Sequence, residues 1–143
     1  MIVLSCNVRG LGKGEKKCVV RSLVEFYKPT IVFLQETKLS NYDDRVIKAI
    51  GGSALNRGIG VDAEGALGGL LSLWNEDQFK VSDCISNSRC LILIGELLSM
   101  KAVAAFCNVY VASVEGEGRK LWDFLINSMN SFSISWCIGG QPK

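Results

Sequence analysis

Apolar positions in the first part of the chain predict a strand–helix–strand unit. Residues 2–8 form a short apolar run that is typical of a buried strand. From Glu15 to Tyr27, apolar residues recur at the spacing of an amphipathic helix. Pro29 disfavours helical geometry in the residue before it, so the helix should end there. Residues 31–34 form a second apolar run, and the order therefore predicts a βαβ unit with parallel strands.

A second, shorter helix is predicted before a pair of glycines. Ser40 is a candidate N-cap, and Asp43 would lie in the first turn, where a carboxylate interacts favourably with the helix N-terminus. Its buried stripe would consist of three apolar residues at helical spacing, Val46, Ile47 and Ile50. Gly51 and Gly52 would end the helix.

The centre of the chain changes to strand-length segments separated by Gly, Asn, Asp and Ser, which predicts antiparallel hairpins. The segments are 53–61, 69–74, 79–86, 89–98 and 101–111. Leu121 to Met129 has the spacing of a late amphipathic helix, and residues 133–138 form a last short strand. Because no linker or repeat divides the chain, residues 1–143 are expected to form a single domain, although an incomplete one.

The amino-acid composition indicates that the chain can bury a hydrophobic core, and it excludes a Cys/His zinc site. The chain has 143 residues, 48% of them hydrophobic, and a formal net charge of +2, which argues neither for nor against nucleic acid. The clearest basic cluster is Lys13, Lys16, Lys17 and Arg21, which also suits a solvated helix face. Six cysteines form no Cys-x-x-Cys pair, and there is no histidine, so a Cys/His zinc site is excluded.

The sequence contains neither a signal peptide nor a transmembrane segment, so we expect an intracellular protein, nuclear or cytoplasmic, with reduced thiols and no membrane partner. The lack of histidine also removes Ser-His-Asp and Cys-His catalysis. Any hydrolysis would have to use carboxylates, amides, a tyrosine or a lysine, together with a metal.

Three polar residues lie at or just beyond strand ends, where α/β folds commonly bind ligands. Glu36 is an oxygen ligand of the kind Mg²⁺ prefers, Asn7 could orient a ligand or a phosphate, and Tyr110 could donate to a phosphate. The same residues have simpler interpretations. An Asn after a strand often makes a turn bond, Gln-Glu-Thr is often solvated loop, and a strand Tyr often only packs.

Two glycine-rich segments also have simple structural interpretations. Residues 9–14 follow a strand and precede a helix, but they fit neither the dinucleotide-binding nor the P-loop pattern. Gly65, Gly68 and Gly69 are typical of a hairpin turn and of a close approach between backbones.

Five segments, in order along the chain, resemble the motifs of the endonuclease/exonuclease/phosphatase (deoxyribonuclease I-like) family. They are residues 4–11 (LSCNVRGL), 29–38 (PTIVFLQETK), 68–74 (GGLLSLW), 108–110 (NVY) with 119–122 (RKLW), and 136–140 (WCIGG). The chain is especially similar to the endonuclease domain at the N-terminus of plant non-LTR (LINE-type) retrotransposon polyproteins. The resemblance covers essentially the whole chain but only about the first half of the family domain.

This resemblance implies an α/β fold, a partial four-layer α/β sandwich truncated at its C-terminal side. It also implies Mg²⁺-dependent phosphodiester hydrolysis, with DNA as a possible partner. Carried over by position, Glu36 corresponds to the magnesium-binding glutamate, Asn7 to the asparagine beside it, and Tyr110 to the phosphate-contacting tyrosine. Mg²⁺ would neutralise the phosphate and stabilise the charge that develops on it.

The chain departs from the family after its two final glycines, where Gln141-Pro142-Lys143 stand in place of Asp-Phe-Asn. The resemblance assigns activation of the attacking water to that Asp and orientation of the phosphate to that Asn. The later Asp-His motif is also absent, in agreement with the absence of histidine. Cys6 and Thr30 replace the usual Trp and Asp. We therefore expect a truncated, retroelement-derived endonuclease-like domain with little or no activity.

Two alternatives remain open at this point. The chain could be a non-catalytic module that binds nucleic acid or another partner, or part of an incomplete gene model of an active endonuclease. The isolated chain should have an unpaired sheet edge and exposed apolar surface, because the second half of the family domain would cover them. Self-association through that surface is the expected consequence.

Overall fold

Eight strands and three helices form the described part of the chain. The computed structural model describes residues 1–65, 67–111 and 116–141. In chain order the elements are β1 (Val3–Asn7), α1 (Gly14–Tyr27), β2 (Ile31–Gln35), α2 (Asp44–Gly51), β3 (Arg57–Val61), β4 (Leu70–Trp74), β5 (Phe79–Asn87), β6 (Cys90–Leu97), β7 (Ala102–Tyr110), α3 (Glu117–Ser131) and β8 (Ser135–Gln141).

These elements stack in four layers, helix–sheet–sheet–helix. The strand orders are β1-β2-β4-β3 in the first sheet and β5-β6-β7-β8 in the second. Phe33 and Phe106 belong to the apolar cluster between the sheets. Val24 of α1 and Ile50 of α2 pack on the outer face of the first sheet, and Leu121 of α3 packs on the outer face of the second. The predicted layered α/β sandwich is confirmed.

The predicted βαβ unit is also confirmed. β1 and β2 pair in parallel, with Val3 opposite Ile31 and Asn7 opposite Gln35. The helix between them ends where Lys28 adopts a left-handed conformation (φ 49°) and its N–H donates to the carbonyl of Val24 at 2.9 Å. This geometry brings the carboxyl ends of β1 and β2 to the same edge of the sheet.

The N-terminus of α2 differs from its prediction. The cap is Asp43, whose Oδ1 accepts a hydrogen bond from the N–H of Val46 at 3.0 Å, and the helix begins at Asp44. Ser40 is therefore not the cap, because the chain remains extended through Asp43 (ψ 174°) before the helix starts. At the other end Gly52 has a positive φ of 61°, which explains why glycine ends the helix there.

The central strands lie at the predicted segments, and the structure adds their order within the two sheets. β4 lies between β2 and β3 and is antiparallel to both, so it is an inner strand that is buried along its whole length. The predicted strand 53–61 is shorter than expected and covers only Arg57–Val61. β5, β6 and β7 form the predicted antiparallel hairpins. After β7 the chain crosses through α3 and returns in β8, parallel to β7.

A buried amide joins the two sheets near the carboxyl ends of β2 and β7. Nδ2 of Asn108, on β7, lies 3.2 Å from the carbonyls of Leu34 and Leu71 in the facing sheet. Nε2 of Gln35 donates to Oδ1 of Asn108 at 2.9 Å and to Oγ of Ser5 at 3.1 Å. Because buried polar groups must be paired, this network fixes how the end of β7 lies against the ends of β1 and β2.

None of the three helices in the described ranges is both long and apolar enough to cross a membrane.

Candidate functional site

The structure brings the three predicted site residues together. Asn7 ends β1, Glu36 directly follows β2, and Tyr110 ends β7 in the facing sheet. Nδ2 of Asn7 donates to Oε2 of Glu36 at 2.5 Å. A hydrogen bond also links the hydroxyl of Tyr110 to the Glu36 carboxylate. Two residues that are far from Glu36 in sequence, Asn7 and Tyr110, therefore converge on its carboxylate at the carboxyl ends of three strands.

Glu36 has a left-handed backbone conformation that residues other than glycine seldom adopt. Its φ is 52°, and Arg9 and Lys38 beside it have positive values of 49° and 57°. Such left-handed residues cost on the order of 1–3 kcal/mol each and occur where the surrounding structure enforces them. The three residues lie in the two loops that carry the site, so the loops are shaped around the carboxylate at some cost in stability.

Backbone hydrogen bonds impose this loop shape. The carbonyl of Glu36 accepts from the N–H of Gly10 at 2.7 Å, and the N–H of Lys38 donates to the carbonyl of Gly68 at 2.9 Å. A Cβ atom on Gly69 would lie 2.3 Å from Oγ1 of Thr37, so only glycine allows this approach. The predicted close approach at Gly68–Gly69 is confirmed, and its effect is to clamp the Glu36 loop.

Both the oxygen and the nitrogen of the Asn7 side-chain amide make hydrogen bonds. Its Oδ1 accepts from the N–H of Arg9 at 3.1 Å, which is the turn bond that the simpler interpretation expected. Its Nδ2 points at Glu36. The turn bond thereby fixes the amide in the orientation that positions the carboxylate, so the two interpretations of Asn7 are compatible.

Tyr110 is protonated near neutral pH. Burial raises the pKa of its hydroxyl above the ordinary value of 10.0, and the negative charge of Glu36 and the hydrogen bond to it raise the pKa further, whereas Arg89 lowers it. A hydroxyl with a raised pKa keeps its proton and donates it in a hydrogen bond. Tyr110 therefore suits binding an oxyanion and does not suit the role of general base.

Arg89, in the turn between β5 and β6, is a site neighbour that the sequence analysis missed. Its carbonyl accepts from the N–H of Tyr110 at 3.0 Å. Its Nε is buried without a hydrogen bond among the described residues, and lies 3.8 Å from Oε2 of Glu117. Arg89 and Tyr110 line a small pocket of about 120 Å³ with Gly68 and Gly69. A lone Arg in a polar turn carries no sequence signal, so only the fold reveals this placement.

The donor set suits one weakly held divalent cation. Of the three predicted residues only Glu36 carries a carboxylate. No group of three or more His, Cys, Asp or Glu side chains in the described ranges could hold a metal ion. Mg²⁺ keeps several waters and often binds proteins through one or two carboxylates together with substrate phosphates. Glu36 fits that mode as a single protein ligand, with Asn7 orienting it.

The basic cluster on α1 is partly engaged within the protein. Nζ of Lys16 donates to the carbonyl of Val8 at 2.9 Å, next to the site loop. Arg21 pairs with Glu25 at 3.2 Å on the exposed side of the helix. Such an exposed pair contributes little to stability. Lys13 is exposed and precedes the helix as its N-cap residue. Of the cluster, only Lys16 is thus shown to place its positive charge next to the site loop.

Solved structures of the endonuclease/exonuclease/phosphatase fold are similar to this chain, although its sequence matches no family profile and no curated protein. An AP endonuclease from Leishmania major aligns with a TM-score of 0.68 and 18% identity, over 96% of this chain and 54% of its own. A mannosyl-6-phosphatase from Bacteroides thetaiotaomicron VPI-5482 aligns with a TM-score of 0.73 and 15% identity, over 96% and 63%. An endonuclease/exonuclease/phosphatase family protein from Bacteroides thetaiotaomicron gives 0.71 and 14%, over 96% and 60%.

These similarities establish the fold. The chain spans only 54% to 63% of the length of these three structures, so it corresponds to a part of the fold that they contain. Their activities differ, since one is an endonuclease and another a sugar phosphatase. The fold therefore does not identify the substrate of this chain. Its origin from a retrotransposon stays a prediction from the sequence motifs.

Proposed function

We propose that this chain is an endonuclease-like phosphodiesterase domain of retroelement origin that binds Mg²⁺ weakly through Glu36 and hydrolyses DNA slowly or not at all. The observation that carries the proposal is the convergence of Asn7 and Tyr110 on the Glu36 carboxylate. The motif resemblance adds the retroelement origin.

The residues of the cluster have distinct tasks in this proposal. Glu36 holds the cation, Asn7 keeps the carboxylate oriented through its own turn bond, and Tyr110 donates a hydrogen bond to a phosphate oxygen. When bound, Mg²⁺ neutralises phosphate charge and stabilises the transition state. Arg89 lies close enough to lower the pKa of Tyr110, so its positive charge also acts on this pocket.

Low activity follows from the groups that the chain does not supply. The sequence has no histidine, and Gln141-Pro142 follow Gly140 where the family has Asp-Phe. General-base help is worth about 10²–10⁴ in rate, and oriented charge-stabilising donors contribute comparable factors. Residues that act as a unit lose their effect together when some are removed. Glu36, Asn7 and Tyr110 alone are therefore expected to bind phosphate without activating water.

A supercoiled-plasmid nicking assay with Mg²⁺ or Mn²⁺ tests this proposal on the chain and its Glu36→Ala variant. We expect equal background nicking from both proteins. In a magnesium titration followed by NMR, we expect weak binding that the variant loses. Nicking that is abolished by Glu36→Ala would show that the chain is an active nuclease. Magnesium binding that survives the substitution would remove Glu36 from the proposed metal site.

A non-catalytic nucleic-acid-binding module is the second candidate, and the positive charges around Glu36 favour it. Arg9 and Lys38 are exposed on the loops that flank Glu36, and Arg89 lines the adjoining pocket. Contacts to phosphates make binding weaken steeply with salt. DNA binding that is independent of metal, depends on salt and is lost on substitution of Arg9 and Lys38 together would establish this candidate. Binding that requires Mg²⁺ and Glu36 would instead favour the first.

A further inference from the structure

One hydroxyl group ties the loop that carries Glu36 to the outer strand β3 of the first sheet. Oη of Tyr42 lies 2.6 Å from Oγ1 of Thr37 and 3.1 Å from the carbonyl oxygen of Leu39. The same atom lies 2.9 Å from the carbonyl oxygen of Val61, the last residue of β3. Tyr42 therefore contacts two positions of the loop and one position of the sheet through a single oxygen.

The protons available to these groups give the hydrogen bonds a direction. Carbonyl oxygens only accept, so Tyr42 uses its one proton for a carbonyl, and that of Val61 is the closer of the two. Burial raises the pKa of Tyr42 above its ordinary value of 10.0, so the hydroxyl keeps this proton near neutral pH. Thr37 is then the donor in the bond of 2.6 Å, and its Oγ1 accepts from the N–H of Leu39 at 3.4 Å. A chain of hydrogen bonds thus runs from the loop through both hydroxyls to the sheet.

Two glycines make room for the Tyr42 side chain. A Cβ atom on Gly60 of β3 would overlap the ring of Tyr42. A Cβ atom on Gly69, which directly precedes β4, would overlap Oγ1 of Thr37 and lie 3.0 Å from the Tyr42 hydroxyl. Only glycine permits these approaches. The position of the hydroxyl is therefore determined by the sheet, and the loop is fixed relative to it.

The loop needs such an anchor because its backbone conformation is unfavourable. Glu36 and Lys38 have positive φ values of 52° and 57°, which residues other than glycine hold only where their surroundings enforce them. Thr37 lies between them and is fully buried. Its N–H donates to the carbonyl of Gly69 at 3.2 Å, so Thr37 is held through its backbone as well as its hydroxyl. Thr37 thereby fixes the peptide bond that joins it to Glu36.

We propose that Tyr42 and Thr37 are positioning residues for Glu36, whose loop they hold in the conformation that lets Asn7 and Tyr110 reach its carboxylate. Neither hydroxyl touches the metal, and both act through the backbone on either side of the ligand. The inference rests on the proposed function, in which Glu36 is the metal ligand, and adds the residues that orient it. Loss of a group that orients a metal ligand typically weakens metal binding by about 10–100-fold.

Removing each hydroxyl while keeping the shape of its side chain tests the proposal on the full chain. Tyr42→Phe keeps the ring against Gly60, and Thr37→Val keeps the volume of the threonine. We expect each variant to weaken Mg²⁺ binding about tenfold or more in an NMR titration. Thr37→Ser retains a hydroxyl and should bind almost as well as the unchanged chain. Tyr27→Phe is the matched control, since Tyr27 is 47% exposed at the end of α1, and it should leave binding unchanged.

A second readout needs no metal and separates this inference from the proposed function. The Cα and Cβ chemical shifts of Glu36 report its left-handed backbone conformation, and the amide shift of Gly10 reports the hydrogen bond to the Glu36 carbonyl. In metal-free protein, Tyr42→Phe and Thr37→Val should move these resonances while those of α3 stay in place. Thr37→Ser and Tyr27→Phe should leave them close to their original positions. A general loss of stability would not produce this local pattern.

The two readouts together decide between the outcomes. Unchanged Glu36 shifts in both Tyr42→Phe and Thr37→Val would overturn the positioning role, whatever the metal affinity. Shifts that move while Mg²⁺ binding stays equal to that of the unchanged chain would overturn it too, because the loop conformation would then not matter to the ligand. If the unchanged chain binds no Mg²⁺ but the shifts move as expected, the proposed function fails and the two hydroxyls still orient the carboxylate.

Discussion

At the scale of single residues, the site depends on a Glu36 side chain that residues distant in the sequence hold in place. Glu36 adopts a left-handed conformation, and its carboxylate is contacted by an amide from β1 and a hydroxyl from the facing sheet. The sequence identified all three residues from their position at strand ends. It did not identify Arg89, because nothing in a polar turn indicates that its guanidinium will lie next to Tyr110.

The coupling between Glu36 and Tyr110 predicts a change in titration. The charge of Glu36 and its hydrogen bond help to raise the pKa of Tyr110, so Glu36→Gln should lower that pKa toward its ordinary value. A raised pKa means that the folded state favours the protonated hydroxyl. The associated stability is present below the unfolded pKa and is lost as pH rises through the folded pKa.

Tyrosinate absorbance, followed during a pH titration, measures this effect, and Tyr110→Phe assigns the signal. Tyr42 provides an internal control, since burial and Asp62 raise its pKa, and Glu36 is not among the groups that shift it. An unchanged Tyr110 titration in Glu36→Gln would contradict the contact between the two side chains.

At the scale of elements, strand and helix existence followed from periodicity, whereas element ends did not. The βαβ unit, the hairpins β5–β6–β7 and the late helix all appear where the apolar pattern placed them. The α2 cap was assigned to Ser40, but Asp43 makes the capping bond. Both residues are good caps by type, and the choice between them depends on where the backbone turns, which the packing of Tyr42 next to the helix helps to determine.

The cap assignment yields a stability prediction. Asp43→Ala should lower the free energy of unfolding by about 1 kcal/mol, because it removes the side-chain acceptor for the N–H of Val46. Asp43→Asn retains an acceptor and should lose less. Ser40→Ala is the matched control and should change stability by less than about 0.5 kcal/mol. Urea unfolding of the three variants measures the differences, and a larger loss for Ser40→Ala would restore the original assignment.

At the scale of the whole molecule, the relation between the two sheets determines the site. Tyr110 reaches Glu36 only because β7 lies against β2, and the buried side chain of Asn108 fixes that position. The sequence offered Asn108 only as part of a motif resemblance, and its role as the link between the sheets was missed. A buried Asn within a strand has no distinctive local pattern.

Asn108→Ala should therefore destabilise the fold and disturb the site together. The change removes one of the two partners of the Gln35 amide, at 2.9 Å, and the donor to the carbonyls of Leu34 and Leu71. A buried polar group that loses its hydrogen bond costs about 1–3 kcal/mol. The exposed Asn127 of α3 is the control, since Asn127→Ala should stay within about 0.5 kcal/mol. Thermal unfolding measures both variants. Equal stability of the two would show that the sheets are held together by apolar packing alone.

The sequence by itself determined the existence of most elements and the lack of histidine, and it singled out Asn7, Glu36 and Tyr110 as candidate site residues. These features are local, because helical and strand periodicity act over a few positions and composition needs no geometry. Only the tertiary structure decided that β4 lies between β2 and β3, that Arg89 lines the pocket, and that Asn108 links the two sheets. The contacts that made these choices join residues 29 positions apart, as in Asn7 and Glu36, or 73 apart, as in Gln35 and Asn108. Such contacts form because burial of both sheet faces selects one packing, and no local pattern encodes that selection.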